Sequence, residues 1–312
     1  LRQYEETKRR GALNLTPNTK SIRDRATTAL IDADRGLGHP VSVKAMELAI
    51  EKAKTYDIGT VCVRNSHHFG AAGYYAELAA KQGMIGIVTT STRGISMVPT
   101  NGTQPVLGTN PFAFSAPAGK YPPLVLDFAT TVAAVNKVKV RNLREIDLPV
   151  GWVNDGQGAP ITNPNDALKI FENRDNGGLN PVGGMGTTLG GHKGYGLAVF
   201  SHILSGVMSG ASFSPIRVEN ANQDTPDDLG HFFQAINPES FRPIEDYYKD
   251  LEIVIETLKN VKPSDPNDPV LIPGEPEQIT RKNRIKYGVP INKNLRSIIK
   301  EIADNAGVEY LF

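Results

Sequence analysis

The sequence has few of the residues that stabilise small secreted proteins or build thiolate metal sites. Cys62 is the one cysteine among 312 residues. No disulfide can therefore form within the chain, and no cysteine cluster can hold a metal ion. We expect no metal site and a reducing compartment, the cytoplasm. Cys62 lies in an apolar stretch and is predicted to be a core residue.

Long apolar runs and an excess of charge of one sign are also missing. The 34 Lys and Arg residues nearly balance 33 Asp and Glu residues, which leaves a net charge of +1 and argues against a protein that binds the nucleic-acid backbone. The most apolar stretch, residues 195–208, is interrupted by Ser201, His202 and Gly206. Crossing a bilayer takes about 18 apolar residues. We expect neither nucleic acid nor a membrane as a partner.

The common nucleotide-binding fingerprints are absent. The segment beginning Gly184-x-Gly186 approaches the G-x-G-x-x-G pattern, but Leu189 stands in the position of the third glycine. The sequence contains neither a G-x-x-x-x-G-K-[ST] phosphate loop nor a G-x-S-x-G nucleophile elbow. A standard Rossmann domain is therefore not expected, and a dinucleotide must be bound in another way.

Apolar periodicity predicts an α/β protein, since strand-like and helix-like segments alternate. At roughly 150 residues per domain, the length suggests about two domains. The predicted strands are 27–31, 58–63, 84–90, 106–117, 123–130 and 231–236. The predicted helices are an exposed segment at the start of residues 1–26, a segment capped by Ser42, then 71–82, 165–171, 195–208, 244–260 and 292–306, with a Pro-rich loop over 262–278. Because a strand recurs at 231–236, the later part of the chain is expected to interleave with the first.

Two adjacent histidines, His67 and His68, follow a predicted strand and precede a predicted helix. Reactive side chains are often presented at such junctions in α/β folds, and imidazole suits proton transfer near neutral pH. The alternative is a polar loop that only caps the helix. A zinc site is disfavoured, because neighbouring side chains point apart and no cysteine cluster supports one.

Two Gly-containing turns are candidate ligand sites. Residues 190–197, GGHKGYGL, open an apolar helix, where free N–H groups and Lys193 would favour an anion. A flexible linker into a buried helix is the competing interpretation. Residues 273–277, PGEPE, form a predicted rigid turn whose carboxylate could accept from ribose hydroxyls, although a plain Pro-rich loop also fits.

Taken together, these segments resemble the type 2 malate/L-lactate dehydrogenase family, which also contains sulfolactate, ureidoglycolate and diketogulonate enzymes. Each motif is weak alone, but seven occur in the family's order and cover nearly the whole chain. They are ALIDADRGLG (29–38), NSxHFGAAGYY (65–75), GTNP (108–111), LDFAT (126–130), GGxKGYGL (190–197), GHFFQAINPESF (230–241) and PGEPE (273–277).

The resemblance implies a non-Rossmann mixed sheet with an interleaved helical part, NAD or NADP as cofactor, and a homodimer with the active site near the subunit interface. Residues 27–277 would form the NAD(P)-binding part, and 1–26 with 278–312 a helical part on the substrate and dimer side. The residues implied to bind the cofactor are Phe128, Ala129, Thr130, Thr131, Val132, Ala133, Ala134, Lys193, Gly194, Gly274, Glu275 and Pro276.

For catalysis, the resemblance implies that His68 donates a proton or polarises the carbonyl and that Tyr4 contacts the substrate, while His67 occupies a variable position. Family members carry a Ser-His-Gly motif, whose His is often taken as the general acid, just before a stretch similar to residues 1–4. That motif would fall before Leu1, so either the chain continues upstream or it lacks this His. An Arg is expected to bind the substrate carboxylate, with Arg2 and Arg93 as candidates.

The expected function is therefore hydride transfer between a nicotinamide cofactor and a small 2-hydroxy or 2-oxo acid, with malate and oxaloacetate as the first choice. Lactate, sulfolactate, diketogulonate or ureidoglycolate are alternative substrates. A dinucleotide-binding subunit without catalysis is a further alternative. The residue pattern leaves NADH and NADPH equally open.

Overall fold

The computed structural model describes residues 2–222 and 225–311, without the side chain of Arg2. The strands in this part of the chain are β1 (Lys20–Asp24), β2 (Thr28–Asp32), β3 (Ile58–Ser66), β4 (Ile85–Thr90), β5 (Phe112–Ala118), β6 (Tyr121–Phe128), β7 (Val153–Asn154), β8 (Pro160–Ile161), β9 (Gly178–Leu179) and β10 (Leu229–Ile236). The α-helices are α1 (Arg2–Arg9), α2 (Gly38–Tyr56), α3 (Ala72–Ala80), α4 (Val135–Leu143), α5 (Pro164–Asn173), α6 (Gly191–His202), α7 (Ser214–Glu219), α8 (Ile244–Lys259), α9 (Glu275–Tyr287) and α10 (Lys293–Ala306).

The main sheet is mixed, with the strand order β1-β2-β3-β10-β4-β5-β6 in the described residues. β2 and β3 run parallel through the α2 crossover, whereas the other neighbouring pairs are antiparallel. β10 comes from far along the chain and lies between β3 and β4. The prediction of a mixed, non-Rossmann sheet with interleaved segments is confirmed.

Both faces of the sheet are covered by helices. α2 and α3 pack on one face, where they bury Val61 and Val63 of β3. Cys62 points to the opposite face, where its Sγ lies 4.0 Å from the carbonyl oxygen of Leu204. Leu204 belongs to a π-helical turn, Ile203–Val207, that continues α6. Cys62 is buried, as the sequence predicts.

A smaller three-stranded sheet, β8-β7-β9, lies beside the main sheet and packs with α4 and α5. Its core contains Val138, Val153, Ala167 and Leu179, each fully buried. In the part of the chain that the structure describes, no helix is long and apolar enough to span a membrane.

Several predicted element boundaries are wrong. The strand predicted over 106–117 begins only at Phe112. Ser42 is not a helix cap: α2 begins earlier, at Gly38, and Ser42 is buried in its second turn. Pro40 is compatible with this start because first-turn N–H groups have no partner within the helix. The loop predicted over 262–278 ends early, since α9 begins at Glu275 with a proline in its first turn.

Seven elements were not predicted: the strands β1, β7, β8 and β9 and the helices α4, α7 and α9. β1 pairs antiparallel with β2 although every one of its residues is exposed, so no alternation of apolar residues marks it. α4 follows the 128–134 segment and buries only Val138, so its apolar periodicity is weak. The proposed division of the chain into a 27–277 part and a terminal part stays a prediction.

Close packing of β3 against α2 makes Gly59 sensitive to substitution. A Cβ atom at Gly59 would lie 1.9 Å from the carbonyl oxygen of Ala49. We expect Gly59→Ala to lower the free energy of unfolding by about 1–3 kcal/mol through overpacking. Gly196, within α6, has no atom within 4 Å of such a Cβ, so Gly196→Ala should raise stability by about 0.5–1 kcal/mol. Urea denaturation measures the free energy of unfolding of both variants. Equal changes in the two variants would contradict this packing.

Candidate active site

The loop between β3 and α3 buries alternate side chains. His67 and Phe69 point inward and are each 2% exposed, whereas His68 between them points outward. The Tyr75 hydroxyl of α3 donates a hydrogen bond to the carbonyl of Phe69. The buried side chains of His67 and Phe69 therefore anchor the loop rigidly, and His68 lies exposed at the protein surface.

His231 of β10 forms the base of this loop. Its ring stacks on Phe69 at 4.6 Å between centroids, with 11° between the planes. Nδ1 lies 2.6 Å from Thr90 Oγ1, and Nε2 lies 3.0 Å from Ser66 Oγ. Complete burial lowers the pKa of His231 to about 3, so the ring is neutral at physiological pH. A neutral, doubly hydrogen-bonded ring suits a structural role.

Tyr4 of α1 reaches across to His68. The Tyr4 hydroxyl lies 2.5 Å from Nδ1 of His68, and the Gly70 N–H donates to the same nitrogen at 3.3 Å. A backbone N–H can only donate, so Nδ1 is an acceptor and the proton of the neutral ring resides on Nε2. Nε2 is then the nitrogen available to a substrate. The structure brings together the two residues predicted for catalysis.

The surroundings favour the neutral form of His68. Partial burial lowers the pKa of His68 below 6.5, and the neighbouring His39, whose ring centroid is 6.3 Å away, lowers it further. Asp227 acts in the opposite direction. Burial raises the pKa of the Tyr4 hydroxyl, and Asp227 adds to that increase. At neutral pH the pair therefore consists of an uncharged phenol and an uncharged imidazole.

His67 is held by a buried carboxylate. Its Nδ1 lies 3.0 Å from Asp227 Oδ2 and its Nε2 lies 3.0 Å from the carbonyl oxygen of Ala12. The other oxygen of Asp227 accepts from Arg93 Nε at 3.1 Å. Burial raises the pKa of Asp227, but the His67 hydrogen bond and the charges of Arg93 and Arg217 outweigh it, so the pKa lies below its usual value.

The segment predicted to line the cofactor, 128–134, forms a strip between two other loops. Thr130 N–H donates to the carbonyl of Thr109 at 2.9 Å, and Val132 N–H donates to that of Asn180 at 2.9 Å. Thr131 is buried, and its hydroxyl donates to Ala133. Within this strip Phe128 ends β6, Ala129 follows it, Ala133 is buried and Ala134 precedes α4.

The start of α6 lies against the same strip. Val182 N–H donates to Thr130, and the carbonyl of Val182 accepts from Gly194 N–H at 3.2 Å. A Cβ at Gly194 would lie 2.4 Å from Val182, so only glycine permits this approach. The exposed Lys193 folds back, with Nζ 3.9 Å from the Cβ position of Gly190. The predicted cofactor residues at 128–134 and at 193–194 are therefore neighbours in space.

This arrangement fits the phosphates of a dinucleotide. The loop before α6 is so tight that a Cβ at Gly191 would lie 1.9 Å from the carbonyl oxygen of Gly184. Lys193 N–H and Gly194 N–H already donate to Gly190 and Val182, so an anion is favoured by the charge of Lys193 and by the N–H groups of Gly191 and His192 at the helix start. A cavity of about 290 Å³ lies beside the loop; its lining includes residues 98–103, 154, 156–158, 180–181 and 185–186.

The third predicted cofactor stretch lies beside β6. Gly274, with φ of 92°, caps α9 and lies against Val125. Glu275 accepts from Lys259 and from the Ile272 N–H, and the Lys259 hydrogen bond is the main reason why its pKa lies below the usual value. Pro276 lies in the first turn of α9. In this structure the Glu275 carboxylate is engaged within the chain.

Sequence reasoning missed several residues around His68. Asp227 and Arg217 are separated from the histidine loop by about 150 residues, and no motif connects them. A signal did exist for Asp227, because two aspartates stand directly before an apolar strand. Of the two arginines predicted to bind substrate, Arg93 pairs with Asp227, whereas the side chain of Arg2 lies outside the described residues.

The family described as malate/L-lactate dehydrogenase matches residues 1–300 of this chain. The chain belongs to the malate/L-lactate dehydrogenase family. It is therefore an oxidoreductase, and membership implies a nicotinamide cofactor.

Individual relatives agree with this assignment. Malate dehydrogenase from Pyrococcus abyssi is 41% identical over 312 residues, covering 100% of this chain and 83% of the relative. L-sulfolactate dehydrogenase from Methanocaldococcus jannaschii is 39% identical over 306 residues, with coverage of 98% and 83%. The crystal structure of malate dehydrogenase from Entamoeba histolytica superimposes with a TM-score of 0.92 at 35% identity, covering 99% of this chain and 85% of that one.

The buried Asp227 pairs should contribute measurably to stability. Asp227→Asn leaves His67 and Arg93 without their carboxylate, so we expect the free energy of unfolding at pH 7 to fall by on the order of 3 kcal/mol. The folded pKa of Asp227 is depressed, so this contribution is complete above the unfolded pKa of about 3.9 and disappears as pH falls through the folded value.

Urea denaturation of the unaltered chain and of Asp227→Asn, at pH 7 and at pH 3, measures this difference in the free energy of unfolding. Asp228→Asn is the matched control, because Asp228 accepts from Ser212 instead of His67. An equal cost for both variants, or a cost for Asp227→Asn that does not shrink in acid, would contradict the assignment.

Proposed function

We propose that this chain interconverts L-malate and oxaloacetate with NAD or NADP, with His68 and Tyr4 at the reacting oxygen. The observation that carries the proposal is the Tyr4–His68 hydrogen bond of 2.5 Å on a rigid loop. The first turn of α3, which follows that loop, lies beside β6, since Gly73 N–H donates to Asp127 at 2.8 Å. Phe128 and the strip of cofactor candidates begin directly after Asp127.

In this proposal His68 exchanges a proton with the oxygen on C2 of the substrate. During reduction, the Nε2–H group of His68 binds the carbonyl oxygen and donates its proton as charge develops there, while Nδ1 takes up a proton from solvent through the Tyr4 hydroxyl, so the ring stays neutral. Tyr4 also fixes the orientation of the ring. During oxidation the same transfers run in reverse: Nε2 accepts the hydroxyl proton as Nδ1 releases a proton to solvent through Tyr4. The bound nicotinamide supplies or accepts the hydride.

The cofactor would be held along β6 and α6. Residues 128–134 would line it through their backbone, Lys193 and the start of α6 would bind its phosphates, and 274–276 would face its ribose. For Glu275 this role requires exchange of its bond with Lys259 for one to a hydroxyl. These residue types fit NADH and NADPH equally, so an activity assay with each cofactor distinguishes them.

A second substrate is supported by one specific observation. L-sulfolactate dehydrogenase from M. jannaschii is nearly as similar to this chain as the malate dehydrogenases are. Sulfolactate has a sulfonate where malate has its second carboxylate. The same His68 chemistry would serve both acids.

We also propose that the chain forms a homodimer. Apolar side chains exposed on α9 and directly after it support this, since isolated surfaces of this kind tend to be buried by association. They are Ile279, Ile285, Tyr287 and Val289, each at least 47% exposed. A cytoplasmic location stays a prediction from cysteine content.

The proposed function is tested by following reduced-cofactor absorbance with the purified chain. NADH and NADPH should each be tried against oxaloacetate, 3-sulfopyruvate and pyruvate. We expect oxaloacetate-dependent oxidation of at least one cofactor. Cofactor binding without turnover of any acid would contradict the proposal and favour a binding subunit.

His68→Asn should lower kcat by about 10²–10⁴, because the amide can still accept from Tyr4 but cannot transfer a proton. Tyr4→Phe should have a smaller effect, about 10-fold, since the ring loses its orienting hydrogen bond and Nδ1 must take its proton directly from solvent. Initial rates with saturating oxaloacetate measure both. An unchanged kcat in His68→Asn would remove His68 from the reaction.

The pH dependence of malate oxidation should report the neutral form of His68. Because the pKa of His68 lies below 6.5, kcat/KM should be constant around pH 7–8 and fall with acid, with a midpoint below 6.5. His39→Gln should move this midpoint upward, since His39 disfavours protonation of His68. A midpoint above pH 7 in the unaltered chain would contradict the assignment.

A further inference from the structure

Arg93 and Arg217 form a cluster of positive charge beside Asp227. Arg217 Nη2 donates to the backbone carbonyl of Arg93, and the Arg93 guanidinium pairs with Asp227. Burial is the main cause that lowers the pKa of Arg217; the charges of Arg93 and of the exposed Arg174 outside the cluster lower it further, whereas Asp227 and Asp228 act in the opposite direction. Three positive and two negative side chains therefore leave an excess positive charge around Arg217.

The cluster is built around one short helix. The Ser214 hydroxyl of α7 donates to the carbonyl of Thr92, and Arg217 Nη2 donates to the carbonyl of Arg93 at 3.3 Å. Two side chains of α7 thus hold the 92–93 turn. In return, the turn fixes the position of the Arg217 guanidinium.

Arg217 has an unsatisfied donor. Its Nε is buried and has no hydrogen-bond partner among the described residues. A buried donor of a charged group is costly to leave unpaired, and burial lowers the pKa of Arg217 from its usual value. A guanidinium with an unpaired Nε–H and excess positive charge around it is suited to an anion, because arginine donates strong charge-assisted hydrogen bonds to acid groups.

The cluster is linked to the loop that carries His68. Asp227 contacts both Arg93 and the inward-pointing His67, which is the residue before His68. The charge of Asp227 acts on both Tyr4 and His68. Because Asp227 is already paired with Arg93 and His67, it does not neutralise Arg217 by contact.

We propose that Arg217, supported by Arg93, binds the second acid group of a diacid substrate, the carboxylate on C4 of malate or the sulfonate of sulfolactate. This inference rests on the proposed function, which places C2 of the substrate at His68. It assigns to the α7 region the choice of a diacid over a monoacid such as lactate. A monoacid has a neutral group in place of the second acid group, which leaves the Arg217 guanidinium without an anion to bind.

A phosphate of the cofactor is the other anion that such a site could bind. The contacts favour the substrate, because the cluster is linked through Asp227 to His67. The predicted phosphate residues are instead grouped around Lys193 and Gly194. Binding of a substrate acid group and binding of a cofactor phosphate predict different kinetic changes.

The experiment compares kcat/KM for oxaloacetate and pyruvate in the unaltered chain and in Arg217→Gln. We expect the oxaloacetate-to-pyruvate ratio to fall by about 10- to 100-fold, mainly through KM for oxaloacetate, because charge-assisted hydrogen bonds are lost. Arg217→Lys should give a smaller loss, since it keeps the charge but not the planar fork.

Arg174→Gln is the matched control, because it removes a neighbouring surface charge. Its ratio should change by no more than about two-fold. An equal effect of Arg174→Gln would show that general electrostatics, and not Arg217, sets the preference. An unchanged ratio in Arg217→Gln would overturn the inference while leaving the proposed function intact. A raised KM for the cofactor with an unchanged KM for oxaloacetate would assign the cluster to a phosphate and overturn it as well.

Calorimetric titration with L-malate and L-lactate separates this inference from the proposed function. If the unaltered chain oxidises no cofactor with any acid, the proposed function fails. Tighter binding of malate than of lactate, lost in Arg217→Gln, would still support the diacid site. Equal binding of the two acids would overturn it.

Discussion

The stacking of Phe69 on His231 is the interaction on which the rest of the site depends. It fixes a loop residue from the β3–α3 junction to a strand that comes from more than 150 residues away. Successive side chains along this extended segment point to opposite sides. Because Phe69 is held inward, the side chain of His68 points outward. A neutral His231 makes this possible, since its two nitrogens satisfy Thr90 and Ser66 without a buried charge.

A charged layer lies next to His67. Asp227 pairs with Arg93 and hydrogen-bonds His67, so the carboxylate supports the loop, and its charge also acts on His68 and Tyr4. In the proposed function, uncharged Tyr4 and His68 exchange the proton with the substrate. Arg217, with Arg93, is proposed to bind the second acid group of a diacid.

Local patterns predicted most elements, because strands such as β3 and β4 and the Asn292-capped α10 are encoded by neighbouring residues. The family resemblance supplied Tyr4 and His68 as separate candidates, and their hydrogen bond was not predicted. What could not be predicted depends on long-range geometry. Pro276 was predicted to lie in a loop but is in the first turn of α9, a position where proline costs no hydrogen bond. Arg217 carried no signal, because its importance arises from contact with a turn more than 120 residues earlier.

The central claim is that a rigid loop presents a neutral His68 whose Nδ1 accepts and whose Nε2 carries the proton. Nitrogen-15 NMR of the imidazole rings, with His68 assigned from the His68→Asn variant, measures this directly. The account predicts the Nε2–H tautomer for His68, a titration midpoint below 6.5, and no titration of His231 until about pH 3. An Nδ1–H tautomer, or a His68 that titrates above pH 7, would contradict it.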